Sequence, residues 1–237
     1  IAHGGKLVTV PARDWTHDLD AMARAVTSAT RIVFIANPNN PTGTWVGRDA
    51  LTRFLDAMPE HVITVLDEAY FEYLREPDYP NGIALLARYP NLVVTRTFSK
   101  IYGLAGMRIG YCVTDPAIAD LLNRVRQPFN VSSLALECAE AALGDRTFVE
   151  ESRRINDDGM QQLRRGLDQL GVAYIPSGGN FLCIDLRRPA APIYDALLRL
   201  GVIVRPIAGY GMPNHLRITV GLHEENARFL DALARVV

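Results

Sequence analysis

No apolar run in this 237-residue sequence approaches the roughly 20 residues that cross a bilayer. No basic, apolar and small-residue succession marks a secretory leader either. Cysteine is scarce: Cys112, Cys138 and Cys183, none in a CxxC pair and each in apolar sequence. That pattern excludes a disulfide-stapled scaffold and reads as buried free thiols in a reducing cytosol. The five histidines, at 3, 17, 61, 215 and 223, lack metal-ligand spacing, so no metal site is expected. Surplus charge is missing too, with 25 Lys plus Arg against 26 Asp plus Glu. A net charge of −1 points to neither nucleic acid nor an anionic membrane as a partner. The one arginine-rich stretch, Arg153, Arg154, Arg164 and Arg165, is interleaved with acids and reads as a solvated helix face. No internal repeat or low-complexity tract is present.

What remains is a chain with 49% hydrophobic residues, enough for one large or two modest globular domains. Short β-branched runs at 31–36, 62–66, 92–95 and 108–113 alternate with helical patterns and turns. Such runs predict an α/β unit, a mostly parallel sheet covered on both faces. Leu51, Phe54 and Leu55 mark a helix over 49–57. Asp115 and Pro116 open one over 116–126. Another covers 132–143, closing at Gly144, and a long amphipathic one reaches Gly171. Beyond it, strands at 181–186, 202–205 and 216–220 with helices at 193–200 and 224–236 form a smaller α+β module. The boundary falls near 145, dividing the chain into 1–145 and 146–237. Residues 6–10 read as a strand that follows Ile1 almost at once, which is odd for an intact domain.

Asn40, Asp67 and Lys100 each follow a buried run. In open α/β sheets ligands bind at the carboxyl ends of the strands, so these three are candidates for one site. Singly they are weak. The stretch 37–43 is a good turn by composition, Asp67-Glu68 can cap a helix, and a Ser-Lys pair is commonly solvated.

Together four segments carry more. They are Asn-Asn-Pro-Thr-Gly (39–43), Asp-Glu-Ala-Tyr (67–70), Thr-Phe-Ser-Lys-Ile-Tyr-Gly-Leu-Ala-Gly-Met-Arg-Ile-Gly-Tyr (97–111) and His-Leu-Arg-Ile-Thr-Val-Gly (215–221). In order and spacing they resemble the fold-type I pyridoxal-phosphate aminotransferases of class I/II. The resemblance implies an aspartate-aminotransferase-like fold, with 1–145 as the cofactor-binding domain and 146–237 as the small one. It implies that Lys100 anchors pyridoxal 5'-phosphate as a Schiff base and then shuttles protons. It implies that Asp67 pairs with the pyridine nitrogen and that Tyr70 and Asn40 bond the ring oxygen. Thr97, Ser99 and Arg108 would take the phosphate, with glycines 103, 106 and 110 shaping the loop. Arg217 would grip the substrate carboxylate; an arginine inside Leu-Arg-Ile-Thr-Val is costly to bury unpaired.

The segments 126–131, 204–206 and 209–214 resemble the histidinol-phosphate aminotransferases within that family. There Arg205 joins Arg217 in binding a phosphate-bearing substrate, and Asn180 matches a family asparagine, here preceded by Gly179. The implied reaction passes an amino group from L-histidinol phosphate to 2-oxoglutarate in a cytoplasmic homodimer. Other readings stay open: an aromatic aminotransferase, a threonine-phosphate decarboxylase, a non-catalytic cofactor sensor and an inactive truncated homologue. By the resemblance, the family's N-terminal part, with a phosphate loop and a ring-stacking aromatic, is absent from this sequence.

Overall fold

The computed structural model describes residues 4–237. Ile1 and His3, which entered the sequence reading, lie outside the described residues. The first half builds α1 (Leu19–Ala25), β1 (Ile32–Ala36), α2 (Arg48–Asp56), β2 (Ile63–Asp67), α3 (Gly82–Leu85), β3 (Leu92–Thr97) and β4 (Gly110–Thr114). Then come α4 (Pro116–Val125), α5 (Ser133–Gly144) and the long α6 (Arg146–Gln169). The rest forms β5 (Ala173–Ile175), β6 (Phe181–Asp185), α7 (Ala190–Arg199), β7 (Arg205–Pro206), β8 (His215–Thr219) and α8 (His223–Ala234).

Two four-stranded sheets result. In the first, ordered β1-β2-β3-β4, the first three strands are parallel and β4 runs antiparallel to β3. The expected α/β class and mostly parallel sheet are therefore present. The helical periodicity of residues 51–55 becomes α2, which buries Leu51, Phe54 and Leu55. They pack with Leu19 of α1 and with Ile35, Leu66, Leu92 and Val94 of the strands. The second sheet, β5-β6-β8-β7, is antiparallel throughout. One face carries a core of Leu163, Leu167, Leu182, Ile184, Leu197, Leu216, Phe229 and Leu233, drawn from α6, α7, α8 and the strands.

Helix ends follow the sequence signals. Asp115 caps α4 by accepting from the Ala117 N–H at 2.8 Å, with Pro116 in the first turn. Ser132 caps α5 and Asp145 caps α6. Gly171 has φ +67°, a conformation glycine adopts without strain, just past α6.

Several expectations are corrected. Residues 6–10 form no strand: Leu7 and Val8 are 72% and 62% exposed, and no described neighbour pairs with them. The fourth strand begins at Gly110, because Arg108 is left-handed (φ +53°) and cannot continue a pleat. The strand expected at 202–205 shrinks to Arg205–Pro206, since Val202 turns into the core as a packing residue. The first sheet is not covered on both faces along β1, where Ile32 and Phe34 are 50% and 68% exposed. Of the three cysteines only Cys183 is buried; Cys112 is exposed on the edge strand β4. The arginine-rich stretch is solvated only in part. Arg154 pairs outward with Glu151 and Asp158, whereas Arg153 turns inward and donates to the Glu72 carbonyl at 2.5 Å. Among the described residues no helix is long and apolar enough to cross a membrane.

Candidate active site

β1 and β2 end level with one another, Ala36 standing opposite Asp67, and β3 passes Asp67 at Thr95 and runs on to Thr97. The loop after β1 is pinned by Asn37, which is fully buried. Its side chain accepts from the Val46 N–H at 2.8 Å and donates to the Val46 carbonyl at 3.2 Å. Gly43 turns the loop at φ +78°, where any Cβ would overlap the Ser177 side chain. The Gly43 carbonyl accepts from the Gly178 N–H at 2.8 Å, so the loop sits against the second sheet's leading segment. Asn40 is left exposed at the tip, and its Oδ1 accepts from the Arg217 guanidinium at 2.6 Å.

At the end of β2 the Asp67 carboxylate is exposed and accepts from the Ala69 N–H at 3.1 Å. Tyr70, three residues on, is buried edge-to-face against Phe181, ring centroids 5.3 Å apart. Burial pushes its phenol pKa up; Arg217 opposes the rise, and Asp67 and Tyr210 add to it.

β3 delivers the lysine. Phe98 and Ile101 are buried, so the turn between them is clamped and Lys100 projects outward. Thr97 Oγ1 accepts from the Ser99 N–H at 3.0 Å, and the Lys100 carbonyl from the Gly103 N–H at 2.9 Å. Lys100 Nζ lies 5.5 Å from the centre of the Tyr70 ring. Desolvation holds its amine below the ordinary lysine range, helped by the Arg217 and Arg108 charges and opposed by Asp67. A larger fraction of that amine is therefore unprotonated, and nucleophilic, at neutral pH. Arg108 donates to the Ala105 carbonyl at 2.8 Å and approaches Ser99 Oγ at 3.4 Å. Of the three loop glycines, Gly103 (φ +71°) and Gly110 have a steric reason, a Cβ at 110 meeting the Arg96 carbonyl at 2.7 Å. Gly106 stands in open space.

Arg217 comes from the middle of β8, flanked in register by Cys183 and by Arg205. Its guanidinium lies 5.1 Å from the Phe181 ring centre, and its Nε is buried without a protein partner. A flat anion with two oxygens would meet that unpaired donor. The fold thus brings Asn40, Asp67, Tyr70, Lys100, Arg108 and Arg217 to one place, with Ser99 attached through Arg108. Thr97 reaches it by orienting Ser99, and exposed Arg205 by pairing with Arg217. Asn180 is tied in through its backbone, its carbonyl accepting from the Val220 N–H at 2.9 Å.

Two features escaped sequence reasoning. Glu68, inside the Asp-Glu-Ala-Tyr segment, is fully buried and ion-paired with Arg96 at 2.7 Å. Tyr210 reaches the charge environment of Tyr70 from the loop before β8. A charged residue closing the run Leu-Val-Val-Thr-Arg-Thr was the available signal for the first. The tyrosine lies inside the segment 209–214 that carries the family resemblance, which was the available signal for the second.

Known proteins are similar to this chain in sequence and in fold. The family described as aminotransferase class I and II matches residues 1–233. A histidinol-phosphate aminotransferase 2 of Pseudomonas fluorescens (strain ATCC BAA-477) is 61% identical over 236 residues, and that of strain Pf0-1 is 59% identical. Both matches take in 100% of this chain and 64% of the relative, so the chain spans about 64% of their length. The crystal structure of histidinol-phosphate aminotransferase from Sinorhizobium meliloti, in complex with pyridoxal-5'-phosphate, superposes with a TM-score of 0.91 at 35% identity. That match covers 99% of this chain and 65% of the other.

Proposed function

The chain belongs to the class I and II aminotransferases, and we propose that it is the cofactor- and substrate-binding portion of a histidinol-phosphate transaminase. The reaction moves the amino group of L-histidinol phosphate to 2-oxoglutarate, giving imidazole-acetol phosphate and L-glutamate, a step of histidine biosynthesis. The observation that carries the reading is Lys100, an amine with a depressed pKa at a strand end, between two arginines and beside Tyr70.

The donor set fits pyridoxal 5'-phosphate. Lys100 would anchor it, Asp67 would face the ring nitrogen, and Tyr70 and Asn40 the ring oxygen. Ser99 with Arg108 offers a hydroxyl and a guanidinium to its phosphate, and Thr97 holds Ser99 in place. Arg217 and Arg205, adjacent across the β7–β8 ladder, would take the anionic groups of the substrate, with Asn180 nearby. When bound, the cofactor supplies an electron sink for the carbanion left by proton loss. The protein's own work is local. Lys100 Nζ would take the proton from the substrate α-carbon and pass it on to the cofactor's C4′ carbon, which its lowered pKa favours at neutral pH. Arg217 fixes the substrate so that this proton faces the amine. The exposed Asp67 carboxylate would support a protonated ring nitrogen.

The same reading assigns 1–145 to the cofactor-binding domain and 146–237 to the small domain, and it places the protein as a cytoplasmic homodimer. The test is visible absorbance after titration with pyridoxal 5'-phosphate, for the chain and for Lys100→Ala. The variant should lose the lysine-dependent band and all turnover of histidinol phosphate with 2-oxoglutarate. A band that persists in Lys100→Ala would refute the lysine's role. Release of CO₂ from threonine phosphate in place of glutamate formation would overturn the substrate.

A further inference from the structure

Three strand ends must keep their register for Asn40, Asp67, Tyr70 and Lys100 to share one site, and a single network in the interior joins all three. Asn37 follows β1, and its carbonyl accepts from the Tyr79 hydroxyl at 2.6 Å. The Tyr79 ring meets Phe71 at a centroid distance of 5.9 Å. The Arg96 guanidinium lies over Phe71, 3.5 Å from the ring centre. From β3, Arg96 donates through Nε and a terminal nitrogen to Glu68 at 3.0 and 2.7 Å, and also to Asn81 at 2.9 Å. The other Glu68 oxygen accepts from the Gly82 N–H at 2.7 Å, and the Glu68 N–H donates to the Thr95 carbonyl at 2.9 Å.

We propose that Arg96 is a positioning residue: clamped between Glu68 and Phe71, it sets the strand ends from which Asp67, Tyr70 and Lys100 reach the site. Glu68 adjoins Asp67 and Arg96 adjoins Thr97, so the pair acts one residue away from two groups of the site. Bond directions explain why arginine is used. Its planar fork bonds a carboxylate and an amide in one plane while its face stacks on a ring, which an ammonium cannot do. A fully buried carboxylate also needs a fixed cation, so the pair has one arrangement and its neighbours inherit it. The proposal rests on the site reading above in taking Lys100 as the working amine, yet the geometry it describes exists without cofactor.

The test uses the cofactor-free full chain. Lys6 is the one other lysine, so amine labelling against pH, read by mass spectrometry, gives the Lys100 midpoint with Lys6 as internal reference. The charged and titratable groups facing Lys100 are Arg217, Arg108, Asp67 and Tyr70, and none is altered. In the unaltered chain Lys100 should become reactive below Lys6. In Arg96→Met the Lys100 midpoint should rise toward that of Lys6 by about one pH unit as the loop loosens and the amine rehydrates. Affinity for pyridoxal 5'-phosphate should fall about 10-fold, equivalent to ~1.4 kcal/mol. Arg96→Lys keeps the charge and should give a smaller shift of the same sign, and it decides the matter if the methionine variant does not fold. Folded variants, by circular dichroism, that melt earlier but leave the Lys100 midpoint unmoved would overturn the proposal and reduce the pair to a core ion pair. If the unaltered chain takes up no cofactor, the reading of function fails at that point, while the Lys100 titration still decides the role of Arg96.

Discussion

The two sheets are held in different ways. In the second, Phe181, Leu182, Cys183 and Ile184 of β6 are all buried, and one apolar cluster gathers three helices onto it. In the first, β1 buries Ile35 on one side and leaves Ile32 and Phe34 open on the other. Its strand ends are tied to one another by interior polar groups, Asn37, Glu68 and Arg96; in the second sheet the comparable buried amide, Asn226 of α8, ties the helix to Gly221 beyond β8, while Cys183 packs against Ile207 and Met212. Apolar packing fixes how far apart elements lie, whereas directional bonds fix their register and rotation. A site that needs side chains from three strands aimed at one point belongs on the sheet whose ends are bonded. The second sheet contributes Arg217, with Arg205 opposite it on the β7–β8 ladder.

The sharpest way to break this contrast is to remove matched apolar groups from each sheet. Leu197→Ala, in the closed core of the second, should cost roughly 2–5 kcal/mol in urea unfolding. Phe34→Ala, on the open face of the first, should change stability by no more than about 0.5 kcal/mol. Equal losses would mean that the β1 face is covered in solution and that the two sheets are held alike. Next comes Arg217 itself. Arg217→Lys keeps the charge but loses the fork, and should raise the KM for the anionic substrate roughly 10- to 100-fold. Steady-state kinetics would check it, and an unchanged KM would show that the second sheet does not reach the substrate. The smallest of the expected losses concerns α4, on the thinly packed side, the Phe34→Ala change being expected to cost almost nothing. Asp115→Ala removes its only side-chain cap and should cost about 1 kcal/mol of the first sheet's stability by the same unfolding assay.

Much of this was legible in the residues, and the exceptions have physical causes. α6 was readable because its apolar spacing repeats over many turns and both its ends carry caps. β2 and β3 were readable because β-branched runs closed by polar residues have few other uses. The segment 6–10 misled because β-branched composition measures fitness for a pleated surface, not the presence of a strand to pair with. Val202 misled in the same way, its apolar character serving packing and not pairing. The order of Asn40, Asp67 and Lys100 at strand ends foretold one shared site. The contact of Arg217 with Asn40 could not be foretold locally, since 177 residues separate them. Glu68 and Arg96 were hidden for a related reason. Each looks like an ordinary surface charge until its partner, 28 residues away, is brought beside it in the core.

Arg108 has a further consequence. Its backbone sits in the left-handed region, at φ +53° and ψ +46°, which costs a side-chain-bearing residue about 1–2 kcal/mol. Glycine would occupy the position without that cost, but it would carry no guanidinium. With Arg108 in its proposed role, heat resistance and anion binding pull this one position in opposite directions. A laboratory selection for thermal survival alone would drift toward glycine or asparagine at 108 and yield hardier proteins with an emptier site. In the proposed role, the guanidinium at 108 is what offsets so unfavourable a backbone position.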